Sequence, residues 1–399
     1  MNKTLKNAKG ITLVALVITI VLLLILVGIS ISTLTNTGLF GKAKQAEQKS
    51  KEAQEQEEAL LGSYENKLNT YLLKKADGSW NSTKKVNSPQ LMDGMIPIYW
   101  DNDGKEIKVT AENENNWYDY ENQQWANAKT QDGSYWVWIP RYAYKIKSGY
   151  HTSTSGEIKI KFLQGISNKD SENKEINTTY PEIKSGAMQD FVVHPSFVKG
   201  ISTYYMNGEW KEDIAGYWVA KYSAGFQAST TDSSDATKVV NGNDKIVYSS
   251  EKYTIYNTKC TTNAISQDLR SLPTMSYPVF KPLTYAYNCI TTGDAYTLSQ
   301  EIAKASEFYG LNSSKMDSHQ MKNSEWGAIA YLAQSSCGRN KTEIAINSKN
   351  LNNLNSKNIY AVTGYSGSTA NGVNASTTNN MSGVFDINGC VWEYTVGYI

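Results

Sequence analysis

The sequence contains no closely spaced cysteine pair. Its four cysteines, Cys260, Cys289, Cys337 and Cys390, stand far apart, which argues against a zinc site. Histidine is scarce too: His151, His194 and His319 are the full set, and none has a partner at metal-ligand spacing. An excess of either charge is also missing. Lys plus Arg total 39 against 38 for Asp plus Glu, a net charge of +1, and nucleic-acid binding usually needs a concentrated basic face. No nucleic-acid partner is expected. No glycine-flanked serine of the nucleophile-elbow type occurs, so no catalytic residue is assigned and the chain is read as non-enzymatic. Phenylalanine, at 8 residues, is outnumbered by 27 Tyr and 10 Trp. Tyrosine favours half-buried strands, where the ring packs and the hydroxyl reaches water. The overall balance, 40% hydrophobic and 19% charged, is that of a mostly globular protein.

One run lacks charge altogether. Residues 11–31 read ITLVALVITIVLLLILVGISI, and at about 1.5 Å per residue they span a bilayer core of roughly 30 Å. A buried core helix and a cleaved secretory signal are the alternatives. The run is long for a signal peptide, and no A-x-A-like site follows it. A single-pass transmembrane helix is therefore expected over 11–32. Lys3, Lys6 and Lys9 precede it, which keeps the N-terminus cytoplasmic and places the rest of the chain outside the cell. In that setting two disulfides are possible, with three pairings open, and buried thiols are the alternative.

Residues 33–75 read as a helical stalk. Lys and Glu intersperse at i,i+4 spacing through KAKQAEQKSKEAQEQEEALL, and an apolar stripe follows at Leu60 or Leu61, Tyr64, Leu68 and Leu72. That stripe suits either dimerisation or packing onto the next domain. Residues 76–90 are a linker of turn formers, and 91–399 form the outer domain. Within it, YWVWIPRYAYKIK (135–147) and EIKIKF (157–162) read as a hairpin, with further strands at GYWVAKY (216–222) and VWEYTV (391–396). Two helices are expected. One is capped by Thr297 and Gln300, carries Ile302, Ala305 and Phe308, and stops at Gly310. The other starts near Asn323 or Ser324, with Trp326, Ile329, Ala330 and Ala333 inward. Helices beside a broken antiparallel sheet give the class α+β. Polar stretches at 226–247 and 345–358 read as surface loops.

The junction KGITLVALVITI resembles the leader of type IV pilins and type II secretion pseudopilins. The resemblance implies cutting by a prepilin peptidase between Gly10 and Ile11. Most pilins carry a glutamate at the fifth mature position; here it is Ala15. A carboxylate in the bilayer is costly unless paired, so Ala15 suits an anchor better than a polymerising subunit. The continuation LTNTGLFGKAKQA resembles pilin-like surface proteins of Gram-positive anaerobes that also lack this glutamate. So do WYDYENQQWANA, FVVHPSF, GYWVAKY, DSHQMKNSEWGAIAYL and NASTTNNMSGVFDINGCVWEYTVG. Their outer domain is similar to the formylglycine-generating-enzyme type of the C-type lectin-like fold.

That resemblance implies several things. The W-E segment would be a core strand. The turn before it would bind Ca²⁺ through the side chains of Asp386 and Glu393 and the carbonyls of Gly389 and Val391, an oxygen set suited to that ion. The competing reading has Asp386 capping a turn and Glu393 pairing with a nearby Lys or Arg. The enzymes of this type use a paired cysteine motif to bind copper, and that motif is missing here. His194 and His319 are expected to make structural hydrogen bonds. Relatives also continue beyond the W-E strand, so the fold is expected to be shortened at its C-terminal end. The resulting expectation is a membrane-anchored, surface-displayed binding module, adhesin-like, for a glycan or protein ligand. The alternatives are a minor pilin or pseudopilin built into a filament or secretion system among pilin-like subunits, and a formylglycine-generating-like oxidase.

Overall fold

The sequence 135–144 is a run of large aromatic and aliphatic residues, the pattern of strands covered on both faces, and a single basic residue interrupts it. In the computed structural model that residue, Arg141, divides the run into two strands belonging to different sheets. The structure describes residues 16–27, 42, 44–54, 56–57, 76–153, 156–200, 210–226, 277–282, 285–286, 292–311, 316–347, 363–364, 372–390 and 393–396. It falls into two units, Met1–Thr70 and Tyr71–Ile399.

In the first unit residues 16–27 are helical and every side chain is exposed, Leu24 at 66% and Leu26 at 60%. Among the described residues no helix is long and apolar enough to cross a membrane. The flanks of the expected span, 11–15 and 28–32, lie outside the described residues, as do Gly10 and Ala15. Residues 44–54 are helical and exposed, and the Leu60–Leu72 stripe lies outside.

The second unit mixes helix and sheet, as expected for α+β. The chain runs through β1 (Trp80–Asn81), β2 (Val86–Asn87), β3 (Ile96–Trp100), β4 (Glu106–Lys108), β5 (Asn127–Lys129) and β6 (Tyr135–Pro140). Next come β7 (Tyr142–Ser148), β8 (Glu157–Phe162), β9 (Ile183–Lys184), β10 (Ala187–Met188), β11 (Val192–Val193) and β12 (Gly216–Ala220). After β13 (Gly225–Phe226), β14 (Pro278–Val279) and β15 (Tyr285–Ala286) follow three helices: α1 (Thr292–Lys304), α2 (Ser306–Tyr309) and α3 (Asn323–Gln334). The main sheet is five-stranded and antiparallel, in the order β12-β6-β5-β3-β4. Two three-stranded sheets, β11-β7-β8 and β14-β13-β15, and two short hairpins complete the described strands.

Arg141 makes the corner between the first two sheets. Its fully buried guanidinium donates to the carbonyls of Ser167, Phe197 and Ile214 and to Asn168 Oδ1, and pairs with Asp213 at 3.0 Å. With its donors satisfied, the charge is tolerable in the interior. The expected hairpin forms between β7 and β8, with Tyr142 opposite Phe162 and Ile146 opposite Ile158.

Several tyrosines behave differently from the expectation. Tyr120 and Tyr142 are fully buried, and their hydroxyls donate to the carbonyls of Trp138 and Ala328, each at 2.6 Å, rather than reaching water. The Tyr142 bond ties β7 to α3. Residues 76–90 carry the β1–β2 hairpin and are packed into this unit. The buried Asn87 side chain donates to the Gly165 and Ala215 carbonyls and accepts from Gly165 N.

The helices also differ in detail. Thr297 does not cap the first; α1 starts at Thr292, and the Thr297 hydroxyl bonds back to the Gly293 carbonyl at 2.9 Å inside it. The stop at Gly310 holds: its φ of +72° is the left-handed cap of α2. In α3 the buried face is Glu325, Ala328, Ile329, Leu332 and Ala333, and Trp326 turns outward at 37% exposure. Glu325 folds back to accept from Lys322 N at 2.8 Å, which organises the first turn.

The strand expected over 391–396 is not formed in its described part, 393–396. Glu393 and Tyr394 are exposed, Val396 bridges to Lys322, the Tyr394 carbonyl accepts from the Gln320 side chain, and the Thr395 hydroxyl donates to Asn323 Oδ1. Val396 N donates to the Met321 carbonyl, and Asn323 N to the Val396 carbonyl. The segment spends its hydrogen bonds on the start of α3 instead of on a sheet.

Gly216 opens β12 where the chain passes the Trp138 ring. A Cβ there would lie 2.4 Å from Trp138 Cζ2 and 2.6 Å from the Ile139 carbonyl oxygen. Gly216→Ala should cost about 1–3 kcal/mol, read as a lower urea midpoint; an unchanged midpoint would contradict this packing.

Candidate functional site

Tryptophan is too large to hide completely unless several elements close around it, and where they fall short a cavity with indole walls remains. The second unit has such a cavity, of ≈ 530 Å³. Trp136 and Trp138 reach it from β6, Trp218 from β12, Trp210 from the preceding loop and Trp326 from α3. All but Trp326 are placed by a backbone or ring contact. Trp218 Nε1 donates to the Gln90 carbonyl at 2.7 Å, and Trp210 Nε1 to the Ser196 carbonyl at 2.7 Å. Trp138 and Trp218 meet edge to face at 5.5 Å across the paired strands.

The polar end of the cavity comes from the loop before α3, from α3 itself and from the C-terminal segment: Asp317, His319, Glu325 and Glu393. His319 Nε2 lies 3.0 Å from Glu325 Oε1. Its Nδ1 lies 3.3 Å from the exposed Asp317 carboxylate, at an angle that makes a charge contact rather than a directed hydrogen bond. Lys322 Nζ is 3.4 Å from Glu325 and 4.0 Å from the centre of the Trp210 ring. Burial works against the imidazolium, but the carboxylates of Asp317 and Glu325 outweigh it and raise the pKa of His319 to about 9. His319 is therefore charged at neutral pH.

His194 is the opposite case. It is buried among Tyr142, Tyr144, Phe197 and Tyr331, its ring caps the turn at Pro195–Phe197 by accepting from Ser196 N, and burial lowers its pKa to about 3. Its role is the structural hydrogen bond expected of it. His151 sits in an exposed turn with φ of +53°.

The four positions expected to hold calcium come together only in part. Asp386 and Glu393 both meet Ser223, the first accepting from its backbone N at 3.1 Å and the second from its hydroxyl at 3.0 Å. Gly389, with φ of +103°, runs against Asn347, where a Cβ would lie 2.5 Å from the Asn347 carbonyl oxygen. Val391 lies outside the described residues. Asp386 Oδ1 accepts from Asn347 Nδ2 at 2.8 Å, Oδ2 accepts from Ser223 N, and Gly364 N lies within 2.9 Å of both. A carboxylate has about four lone-pair positions, and here they face N–H donors rather than open space. Asp386 thus fits a carboxylate that organises loops and does not fit a calcium ligand. Among the described residues no group of three or more His, Cys, Asp and Glu side chains is placed to hold a metal.

Burial raises the Asp386 pKa to about 6. Burial of the carboxyl group, and then Asp386 beside it, raise the pKa of Glu393 to about 7. Of the cysteines, Cys337 is a buried thiol whose pKa burial pushes up to about 11. Cys260 and Cys289 lie outside the described residues.

The chain matches no protein-family model, no curated protein and no solved structure.

The indole cavity was not read from the sequence, although its signal was present as a tryptophan in each of several separate segments. The Asp317–His319–Glu325 group was equally hidden, because His319 looks isolated until α3 turns Glu325 back beneath it.

Two outcomes follow. The folded-state pKa of His319 lies above its unfolded value of about 6.5. Its contribution is therefore fully present below about pH 6.5 and lost as pH rises through about 9. The melting temperature should fall across that window, and His319→Gln should flatten the fall; parallel profiles for the two proteins would contradict the assignment. Millimolar calcium should leave the melting temperature unchanged, and a rise of several degrees would show that Asp386 surrenders its N–H donors to the ion.

Proposed function

We propose that this protein is a membrane-anchored, surface-displayed binding module whose outer unit takes its ligand in the tryptophan-lined cavity. The cavity carries the reading. At ≈ 530 Å³ it has the size of a small-ligand site, with mostly apolar walls and a few convergent polar groups. Indole faces suit the flat apolar side of a sugar ring or a peptide side chain, and the Asp317, His319 and Glu393 end supplies oriented hydrogen-bonding groups.

The anchor rests on the uncharged run 11–31 and the lysines before it. The 16–27 helix, which is apolar and exposed all round, is a surface that lipid covers and water does not. Processing by a prepilin peptidase between Gly10 and Ile11 rests on the resemblance of the leader. The C-type lectin-like fold of the formylglycine-generating-enzyme type is supported by the order of the resembling segments through 117–397. The same leader favours a second reading, a minor pilin in a filament. Ala15 removes the carboxylate that would pair with a neighbouring subunit.

Full-length protein in detergent micelles, applied to glycan and peptide arrays, should bind a defined ligand set. Trp326→Ala should weaken that binding by roughly tenfold, as loss of an interface tryptophan does. An array with no binder, or a variant that binds as the wild type, would contradict the reading. Immunoblotting should find the protein in the membrane fraction; its presence in sheared filaments would favour the pilin.

A further inference from the structure

The proposed binding cavity is electrostatically one-sided, and this points to the class of ligand it takes. Among the described residues three carboxylates line it, Asp317, Glu325 and Glu393, with one imidazole, His319, and no lysine or arginine. Part of that charge is already balanced. Glu325 is held by His319 at 3.0 Å and by Lys322 at 3.4 Å, and Asp317 lies 3.3 Å from His319. Those four groups form a neutral set.

Glu393 stands outside it. Ser223 donates to it at 3.0 Å, and the Trp326 side chain hydrogen-bonds it. Neither group carries charge. Asp386, the neighbouring carboxylate on Ser223, is likewise satisfied by neutral N–H donors. Among the described residues neither Glu393 nor Asp386 has an ion pair. The cavity therefore has, at the wall where Trp326 stands, a carboxyl group without a counter-charge, which a bound cation would hold ionised. The nearby Lys322 shows what such a wall favours: its ammonium lies 4.0 Å from the centre of the Trp210 ring, the geometry of a cation on an indole face.

Resting on the reading of the cavity as the binding site, we infer that its ligand is cationic: an ammonium or guanidinium head seated at Glu393 beside Trp326, carried on an apolar body that lies along the indole walls. A free organic amine and a lysine or arginine side chain of a peptide present the same chemistry. The volume of ≈ 530 Å³ accommodates either.

Five tryptophans line the cavity, so intrinsic fluorescence reports occupancy. The full-length protein in detergent micelles is titrated with choline, with Nα-acetyl-arginine amide, with 3,3-dimethylbutan-1-ol (the neutral isostere of choline), and with the methyl glycoside of N-acetylglucosamine. At least one cation should bind about tenfold more tightly than the isostere. Preference for choline assigns a free amine, and preference for the blocked arginine assigns a peptide. Glu393→Gln should weaken the cation by about tenfold. Glu301→Gln should leave it unchanged, since Glu301 on α1 pairs with Lys304 and does not line the cavity.

Matched melting temperatures establish that the variants fold. Failure of both cations to bind more tightly than the isostere overturns the inference, as does an unaffected Glu393→Gln. A response to the glycoside alone overturns the cationic ligand but leaves the binding cavity standing. Silence with every probe removes both.

Discussion

One buried ammonium holds the second unit together. Lys221, directly after β12, has no exposed surface, and its Nζ donates to Asn127 Oδ1 at 2.9 Å, to the Gly383 carbonyl at 2.7 Å and to the Met381 carbonyl. Burial lowers its pKa well below that of a lysine in water. Three acceptor oxygens match the three donors of the protonated amine, whereas a neutral amine would offer two, and this match keeps the proton in place. The Trp100 ring, 4.5 Å from Nζ, closes the remaining side. A charge in such a site is costly to create and costly to lose, because its removal would strand three buried acceptors.

That single side chain reaches segments far apart in sequence. Asn127 belongs to β5 and donates its amide to the Trp125 and Ser382 carbonyls. Trp125 N in turn bonds to the Ser382 hydroxyl, and its indole donates to the Cys337 carbonyl. Phe385 N returns to the Lys221 carbonyl at 2.8 Å. The stretch 376–386 contains no strand, yet most of it is buried, because Lys221 and Asn127 supply the partners that a sheet would otherwise give. Val384 and Phe385 then form part of the cavity wall and Asp386 gathers the loops at Ser223, Asn347 and Gly364. The cavity is thus a consequence of how the C-terminal segment is tied down.

Local pattern reveals local structure, and the division here follows that line. The hairpin at 142–162, the strand at 216–220 and the helix at 323–334 were legible because alternation and helical spacing are properties of neighbouring residues. Gly310 was legible as a stop for the same reason. The strand over 391–396 was not: VWEYTV has strand composition, but whether it finds a sheet edge depends on a remote partner, and its described part pairs with the start of α3 instead. Arg141 looked like a polar residue inside one strand because the carbonyls that receive it come from 167, 197 and 214. The indole cavity draws its walls from segments spread over some three hundred positions, a juxtaposition that spacing does not encode. Asp386 and Glu393 were placed by resemblance, and the structure brings them to one serine while filling the lone pairs of the first.

The Lys221 ammonium as the tie between sheet and C-terminal segment is tested most directly by hydrogen–deuterium exchange on full-length wild type and Lys221→Met. If the tie is as described, the amides of Thr377, Val384 and Phe385 will lose protection in the variant. The β6–β12 amides, paired strand to strand from Trp136–Ala220 to Pro140–Gly216, will keep theirs. Unchanged protection at 377–385, or a uniform loss across both regions, would contradict it.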